Sequence, residues 1–427
     1  MKFVIKPIAV SLAMLGFASV AHASSVASLQ SQIQKVGQQI QQLQAKHGKV
    51  QINPSSLNKI LPGNSFVNTE LIVLNARKNS EMATGVIYLG GKIKGNVYYQ
   101  DNTSGTASPY TASKVEVNAL QLSTVAGLNS WATLVSVVGS NSGTGLNSAT
   151  NMKLDQGYVL LGNLNKYPGY VLVGRKNVDF GEFGRMGFLN KPLNRLAFEA
   201  TANQAMVGYS HYGLNAAVSF FQGETQTSNT SFVLTGNDTS SRILTPSNSH
   251  QIGNFAVNAS YEFGPANLNA RFGLGYLNGS GFVSATNSET MPVLDVFADA
   301  TFGKLKLHGE YDRTVSATGS TISAGGLIPV ASAVTLNAVD KKVSAWNVAG
   351  AYGLGFFDYN SSISLSVSQL DAGNFNANQR LNQLALGYLV KFNPKFSTGL
   401  EYAYDGMKNG NTSYKTYEVA LVATAFF

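Results

Sequence analysis

Apolar and polar residues alternate with a period of two over long stretches of this chain, and no other feature limits its fold so strongly. At the end of the chain Tyr417, Val419, Leu421, Ala423, Ala425 and Phe427 form one stripe, and Thr416, Glu418, Ala420, Val422, Thr424 and Phe426 form the other. Period two is the signature of a β-strand with two different faces. The pattern recurs upstream. Leu384, Leu386, Tyr388, Val390 and Phe392 share a face, as do Leu400, Tyr402 and Tyr404 opposite Glu401 and Asp405. Leu305, Leu307 and Tyr311 alternate with Lys304, Lys306, His308, Glu310 and Asp312; Leu268, Ala270, Phe272, Leu274 and Tyr276 alternate with Asn267, Asn269 and Arg271. Ile363, Leu365 and Val367 alternate with serines. In each strand the charges fall on one side. A charge facing lipid at mid-depth costs about 2–4 kcal/mol, so this segregation suits a wall with lipid on one side and water on the other. A slip of one residue would reverse every face.

Beyond the N-terminal region no stretch approaches the ~20 apolar residues that a spanning helix needs. If the chain sits in a membrane it must do so as a closed barrel, because strands satisfy their backbone in lipid only when no edge is left. Only 12% of residues are charged, while glycine (43), tyrosine (19) and phenylalanine (23) are plentiful. A soluble sandwich would bury the apolar stripes against a second sheet, and leaves Phe427 at the terminus without a purpose. The net charge of +8 is spread thinly, which argues against a nucleic-acid surface. There is no cysteine and hence no disulfide framework.

Short turn signals alternate with long polar stretches. The former occur near Gly127-Leu128-Asn129, 166–169, Tyr212-Gly213, Gly264-Pro265, Gly303, Gly353-Leu354-Gly355 and Asn393-Pro394; the latter near 101–112, 141–153, 178–194, 223–251, 278–290, 315–342, 371–379 and 406–412. Outer-membrane barrels pair short periplasmic turns with long outer loops. Eight loops and seven turns therefore predict an all-β, transmembrane antiparallel β-barrel of about sixteen strands, with both ends of the wall in the periplasm. Aromatic residues near the strand ends fit girdles at the two lipid interfaces. The expected location is the outer membrane of a Gram-negative cell, with lipid as the surrounding partner.

Residues 1–23 read as a signal peptide: Lys2 and Lys6, an apolar run from Ile8 to Val20, and the small-x-small site Ala21-His22-Ala23. Removing it lowers the formal charge from +8 to +6, since it holds two lysines and no acid. Residues 24–46 predict a short periplasmic coiled-coil helix, because Leu29, Ile33, Val36, Ile40 and Leu43 are spaced as an a/d seam between glutamines. Branched residues at both seam positions lean toward three strands, hence a homotrimer; a lone helix docked on the barrel is the other reading. Residues 47–83, with Gly48, Pro54, Pro62 and Gly63, read as a linker, and 84–427 as the barrel.

A barrel of this size leaves an aqueous channel unless something fills it. The third long loop, after the fifth strand, begins Gly174-Arg175-Lys176-Asn177-Val178-Asp179-Phe180-Gly181-Glu182-Phe183-Gly184-Arg185. Charges, aromatics and glycines together, in this ordinal position, suit a loop that folds inward and narrows the pore; an ordinary surface loop is the alternative. The constriction and selectivity candidates are Arg175, Lys176, Asp179, Phe180, Glu182, Phe183, Arg185, Lys191 and Arg195, with Glu199 adding an acid. Lys92, Lys94, Lys114, Arg271, Lys304 and Lys306 face the lumen by parity, but so do Asp295, Asp299, Glu310, Asp312 and Glu401. Basic residues in a pore favour anions, and the mixture predicts a weak anion preference for a small polar solute.

No HExxH, GxSxG, phosphate-binding loop or metal-ligand cluster occurs, and the histidines, including His211, His250 and His308, are scattered. No catalytic residue, metal site or cofactor is expected. A plugged transporter uses about twenty-two strands and a folded plug, for which residues 24–84 are too few.

The order of parts — a glutamine-rich coil from Leu29 to Leu43, a linker, a barrel of about sixteen strands and a terminal Phe427 — resembles the LbtU family of siderophore porins over essentially the whole exported chain. The resemblance implies uptake of ferric siderophores, notably polycarboxylate ones, across the outer membrane without a plug. The same parts would also serve a general trimeric diffusion porin for small metabolites.

Overall fold

The computed structural model describes residues 50–52, 68–104, 110–140, 153–184, 186–187, 190–222, 231–233, 252–264, 268–279, 291–316, 321–323, 335–337, 342–356, 359–372, 379–409 and 412–426. The proposed signal peptide, the seam residues Leu29, Ile33, Val36, Ile40 and Leu43, Arg185 and Phe427 lie outside the described residues.

Sixteen long strands make the wall: β1 (Ile87–Ser104), β2 (Tyr110–Gly127), β3 (Ala132–Ser140), β4 (Lys153–Asn163), β5 (Tyr167–Asn177), β6 (Thr201–His211), β7 (Leu214–Gln222), β8 (Ile252–Phe263), β9 (Leu268–Leu277), β10 (Val293–Phe302), β11 (Leu305–Thr314), β12 (Ser344–Phe356), β13 (Tyr359–Asp371), β14 (Gln379–Asn393), β15 (Phe396–Asn409) and β16 (Thr412–Phe426). Each is antiparallel to its sequence neighbours. β16 closes the wall on β1, in register from Lys92↔Phe426 to Ser104↔Tyr414. Closure leaves no edge, which is what lipid demands. Below that seam the three-residue strand Val50–Ile52 runs parallel to Ile87–Leu89 of β1. Three short strands, Ser231–Val233, Thr321–Ser323 and Thr335–Asn337, pair with one another in the long loops after β7 and β11.

The alternation sets the faces. Leu400, Leu421, Leu386, Leu365, Leu274 and Val207 stand exposed on the outer face, Leu274 at 62%. Glu401, Ala420, Ala385, Ser366 and Ala403 are buried on the inner one. Exposed leucines and valines in this number would be a liability in water; on a closed wall they form the belt that hydrocarbon covers. Trp131, Tyr167, Tyr212, Phe302, Phe392 and Phe396 stand exposed beside the short turns, where aromatic girdles belong. Phe392 and Phe396 stack across one such turn, with centroids 5.7 Å apart.

Two sequence boundaries are corrected. β12 continues through Gly353-Leu354-Gly355 to Phe356, so its turn comes later than the glycines suggest. The segment 47–83, expected to be a linker, carries the helix α1 (Thr69–Lys78). Glu70 in its first turn and Arg77 and Lys78 in its last match the helix dipole. Thr69, Glu70, Val73, Leu74 and Ala76 are its buried face, with helical spacing. That face packs on an apolar patch of the inner wall made by Tyr88, Val135, Tyr158, Leu160, Tyr170 and Leu172.

Candidate pore constriction

The third long connection leaves β5 at Asn177 and rejoins the wall at Thr201. Val178 N donates to Ala200 O at its base, 2.8 Å. Within it lies the short helix α2 (Leu193–Phe198), all six of whose residues are buried. The segment turns into the barrel because its apolar side chains have an apolar floor there. Val178, Phe180, Phe183, Leu193, Leu196 and Phe198 join one cluster with Phe221, Ala256, Leu277, Val293, Ala345, Leu370, Leu381 and Met407 of the inner wall.

Polar side chains from distant strands then pin the segment. Asn258 on β8 donates to Phe180 O at 3.0 Å. Glu310 on β11 accepts the backbone N–H groups of Glu182 and Phe183 on Oε1, at 2.8 and 2.9 Å, and the Asn194 amide on Oε2 at 2.8 Å. Asn347 on β12 donates to Gly184 O at 3.2 Å. Ser368 on β13 accepts from Leu193 N at 3.0 Å. Glu401 on β15 accepts both the backbone and side-chain N–H of Asn190, at 2.7 and 3.1 Å. Each contact uses an inward position of its strand, so the loop crosses from β5 to the wall of β8–β15. Gly275 lets the backbone come close: a Cβ there would lie 1.8 Å from Phe180 O. Phe183 has φ +49°, a conformation that costs a non-glycine residue about 1–3 kcal/mol and is held here by a buried ring and the bond to Glu310.

α1 meets this loop. Lys176 on β5, fully buried, pairs with Glu70 of α1 and Asp179 of the loop, each at 2.5 Å. Tyr158 donates to Thr69 at 3.0 Å, and Asn68 to Glu182 at 3.0 Å. At the other end of α1, Arg77 reaches Thr133 at 2.5 Å and the carbonyl of Asn129 beside a short turn. The helix therefore spans from the loop to the short-turn mouth. Burial pushes the Asp179 carboxyl well above the ordinary range, and Glu70 pushes it further, against the pull of Lys176. Burial also raises Glu182, opposed by Arg271. Arg271 on β9 bridges Glu182 and Asp299, both at 2.6 Å, and lies 5.2 Å from the centre of the Phe297 ring. His308 sits between Asp299 and Glu310, 2.8 and 3.3 Å from its two nitrogens; only the imidazolium can donate to both.

The predicted residues separate into groups. Lys176, Asp179, Phe180, Glu182 and Phe183 are brought together at the inward loop. Arg195 lies in α2, buried in a two-bond pair with Glu199 at 2.9 Å. Lys191 precedes α2, half-buried. Arg175 is corrected: β5 continues past it, and it shares the outward face with Val171 and Val173. Lys92, Lys94 and Lys114 lie half-buried on inward positions of β1 and β2, and Arg271 on β9. Lys304 is also corrected, since it belongs to the turn between β10 and β11; Lys306 is exposed on the inward side near that mouth. Of the described bases of this segment, Lys176 and Arg195 thus pair with acids and Arg175 faces outward. Inward parity holds for Asp295, Glu310, Asp312 and Glu401, all buried beneath the loop. Sequence reasoning missed Glu70. Its signal was the charge order of α1, acid first and bases last.

No family profile and no curated protein sequence matches the chain. Among solved structures it is similar to OprB of Pseudomonas putida, with TM-score 0.54 at 11% identity over 79% of this chain and 94% of that one. It is also similar to OmpF of Salmonella typhi, solved with daunomycin, with TM-score 0.53 at 13% identity over 80% and 97%. At such identities the likeness is one of fold: the chain has the architecture of an outer-membrane porin.

Proposed function

We propose that this chain is an outer-membrane porin that passes a small, polar, anionic solute, and that a ferric siderophore of the polycarboxylate type is that solute. The observation that carries the reading is the third loop, folded into the lumen and held at Glu310, Asn347 and Glu401. α1 packs against β1–β7 and the loop against β8–β15, and inward positions of β1 and β2 carry Lys92, Lys94 and Lys114. Basic side chains along one flank favour anions over cations. The resemblance of the part order to LbtU-type porins supports iron uptake, and the seam from Leu29 to Leu43 supports a periplasmic trimer. A general diffusion porin for small metabolites is the second reading, favoured by the fold likeness to OmpF and OprB.

Uptake of labelled ferric citrate-type siderophore by cells with and without the gene separates the two, beside single-channel conductance. Saturable, gene-dependent iron uptake that falls when Lys92, Lys94 and Lys114 become glutamine supports the first reading. Large, unsaturable conductance with no iron phenotype supports the second and removes the first.

A further inference from the structure

Beneath the third loop three carboxylates converge. Asp295 of β10 and Glu310 and Asp312 of β11 offer oxygens that all lie within 4.8 Å of one another, and all three side chains are buried. The charges around them do not balance. Arg271 answers Glu182 and Asp299, and His308 answers Asp299 and Glu310. Neither Asp295, 1% exposed, nor Asp312, fully buried, forms a salt bridge among the described residues; Arg271 and His308 pair with other acids. Outside the carboxyl cluster itself, no described residue donates a hydrogen bond to either oxygen of Asp295 or to one oxygen of Asp312. Asn194 of α2 donates to Glu310 at 2.8 Å and Asp312 at 3.2 Å, yet its own buried carbonyl oxygen has no partner. Burying carboxylates without compensation is costly enough that something must discharge them.

We propose that Asp295, Glu310 and Asp312 bind a divalent cation of the calcium or magnesium class, beneath the constriction loop. The donor set is oxygen alone, which suits hard cations and not zinc or copper. A flip of the Asn194 amide would turn its orphan carbonyl to the ion as a neutral fourth ligand. Glu310 would then join the ion to the N–H groups of Glu182 and Phe183, so the metal would fasten the loop to β10 and β11. The site does not depend on which solute the barrel passes. A proton shared among the carboxyls is the competing way to remove the charge.

The test is calorimetric titration of the full-length, detergent-solubilised protein with calcium chloride after stripping with a chelator. The result expected is one calcium per chain, weakened about tenfold or more by Asp295→Asn and by Asp312→Asn. No calcium uptake, as a shared proton would give, or uptake unchanged in Asp295→Asn, overturns the proposal. Should these variants fail to assemble, manganese soaked into wild-type crystals decides. An anomalous peak between Asp295 and Glu310 supports the site; no peak there overturns it.

Discussion

Replacing Lys176 with methionine should release the inner furniture of the barrel while leaving its wall intact. Lys176 is fully buried, and its partners Glu70 and Asp179 are each 1% exposed. Methionine keeps the bulk and the β5 backbone pairing but leaves two acids facing each other in a dry site. Removing one partner of a buried ion pair costs about 3–5 kcal/mol. At ~1.4 kcal/mol per tenfold, docking of α1 and the loop weakens by about two to three and a half orders of magnitude. The strand ladder does not share that cost. Hydrogen exchange of peptides covering 69–78 and 178–200 should accelerate, strand peptides should stay protected, and single-channel conductance should rise and become noisier. Adding Glu70→Gln and Asp179→Asn should restore much of the protection, since the orphaned charges go. Unchanged exchange and unchanged conductance in Lys176→Met would refute the reasoning.

Gly275→Val should push the loop off β9, because its Cβ would meet the Phe180 carbonyl at 1.8 Å; conductance should increase, whereas Gly309→Ala, with nothing within 4 Å, should leave it unaltered. Asp179 and Glu182 hold their protons more tightly in the docked loop than free, so the penalty they impose above their raised values is relieved as pH falls. Reversal potentials should therefore move toward anions at a pH above the ordinary glutamate range of about 4.3, and Glu182→Gln should shrink that step. If the proposed seam from Leu29 to Leu43 joins chains, deleting residues 26–46 should weaken the oligomer without dissolving the barrel, judged by native electrophoresis; an oligomer of full strength after deletion counts against the helical seam.

The wall was legible because each strand answers the same local question, lipid or water, at every second residue. Leu400 against Glu401 and Leu307 against His308 are enough to orient two strands, and the buried acids beneath the loop follow from the same parity. The third loop was legible by its order and its phenylalanines. What its bases do was not. Arg175 faces out because β5 runs past it to Asn177, and Lys176 is consumed by Glu70, a residue more than a hundred positions away. α1 escaped notice because it is only ten residues long, and its partner surface is assembled from Tyr88, Tyr158 and Tyr170 on three strands. No local pattern announces a surface that exists only after the ring has closed.

Planar-bilayer recording on the purified chain, beside a variant in which 179–198 is replaced by a short glycine-serine bridge, addresses the constriction most directly. The account predicts discrete channels from both, with conductance several-fold larger and ion selectivity weaker in the bridged form. Equal conductance in the two, or no channel from either, would contradict it.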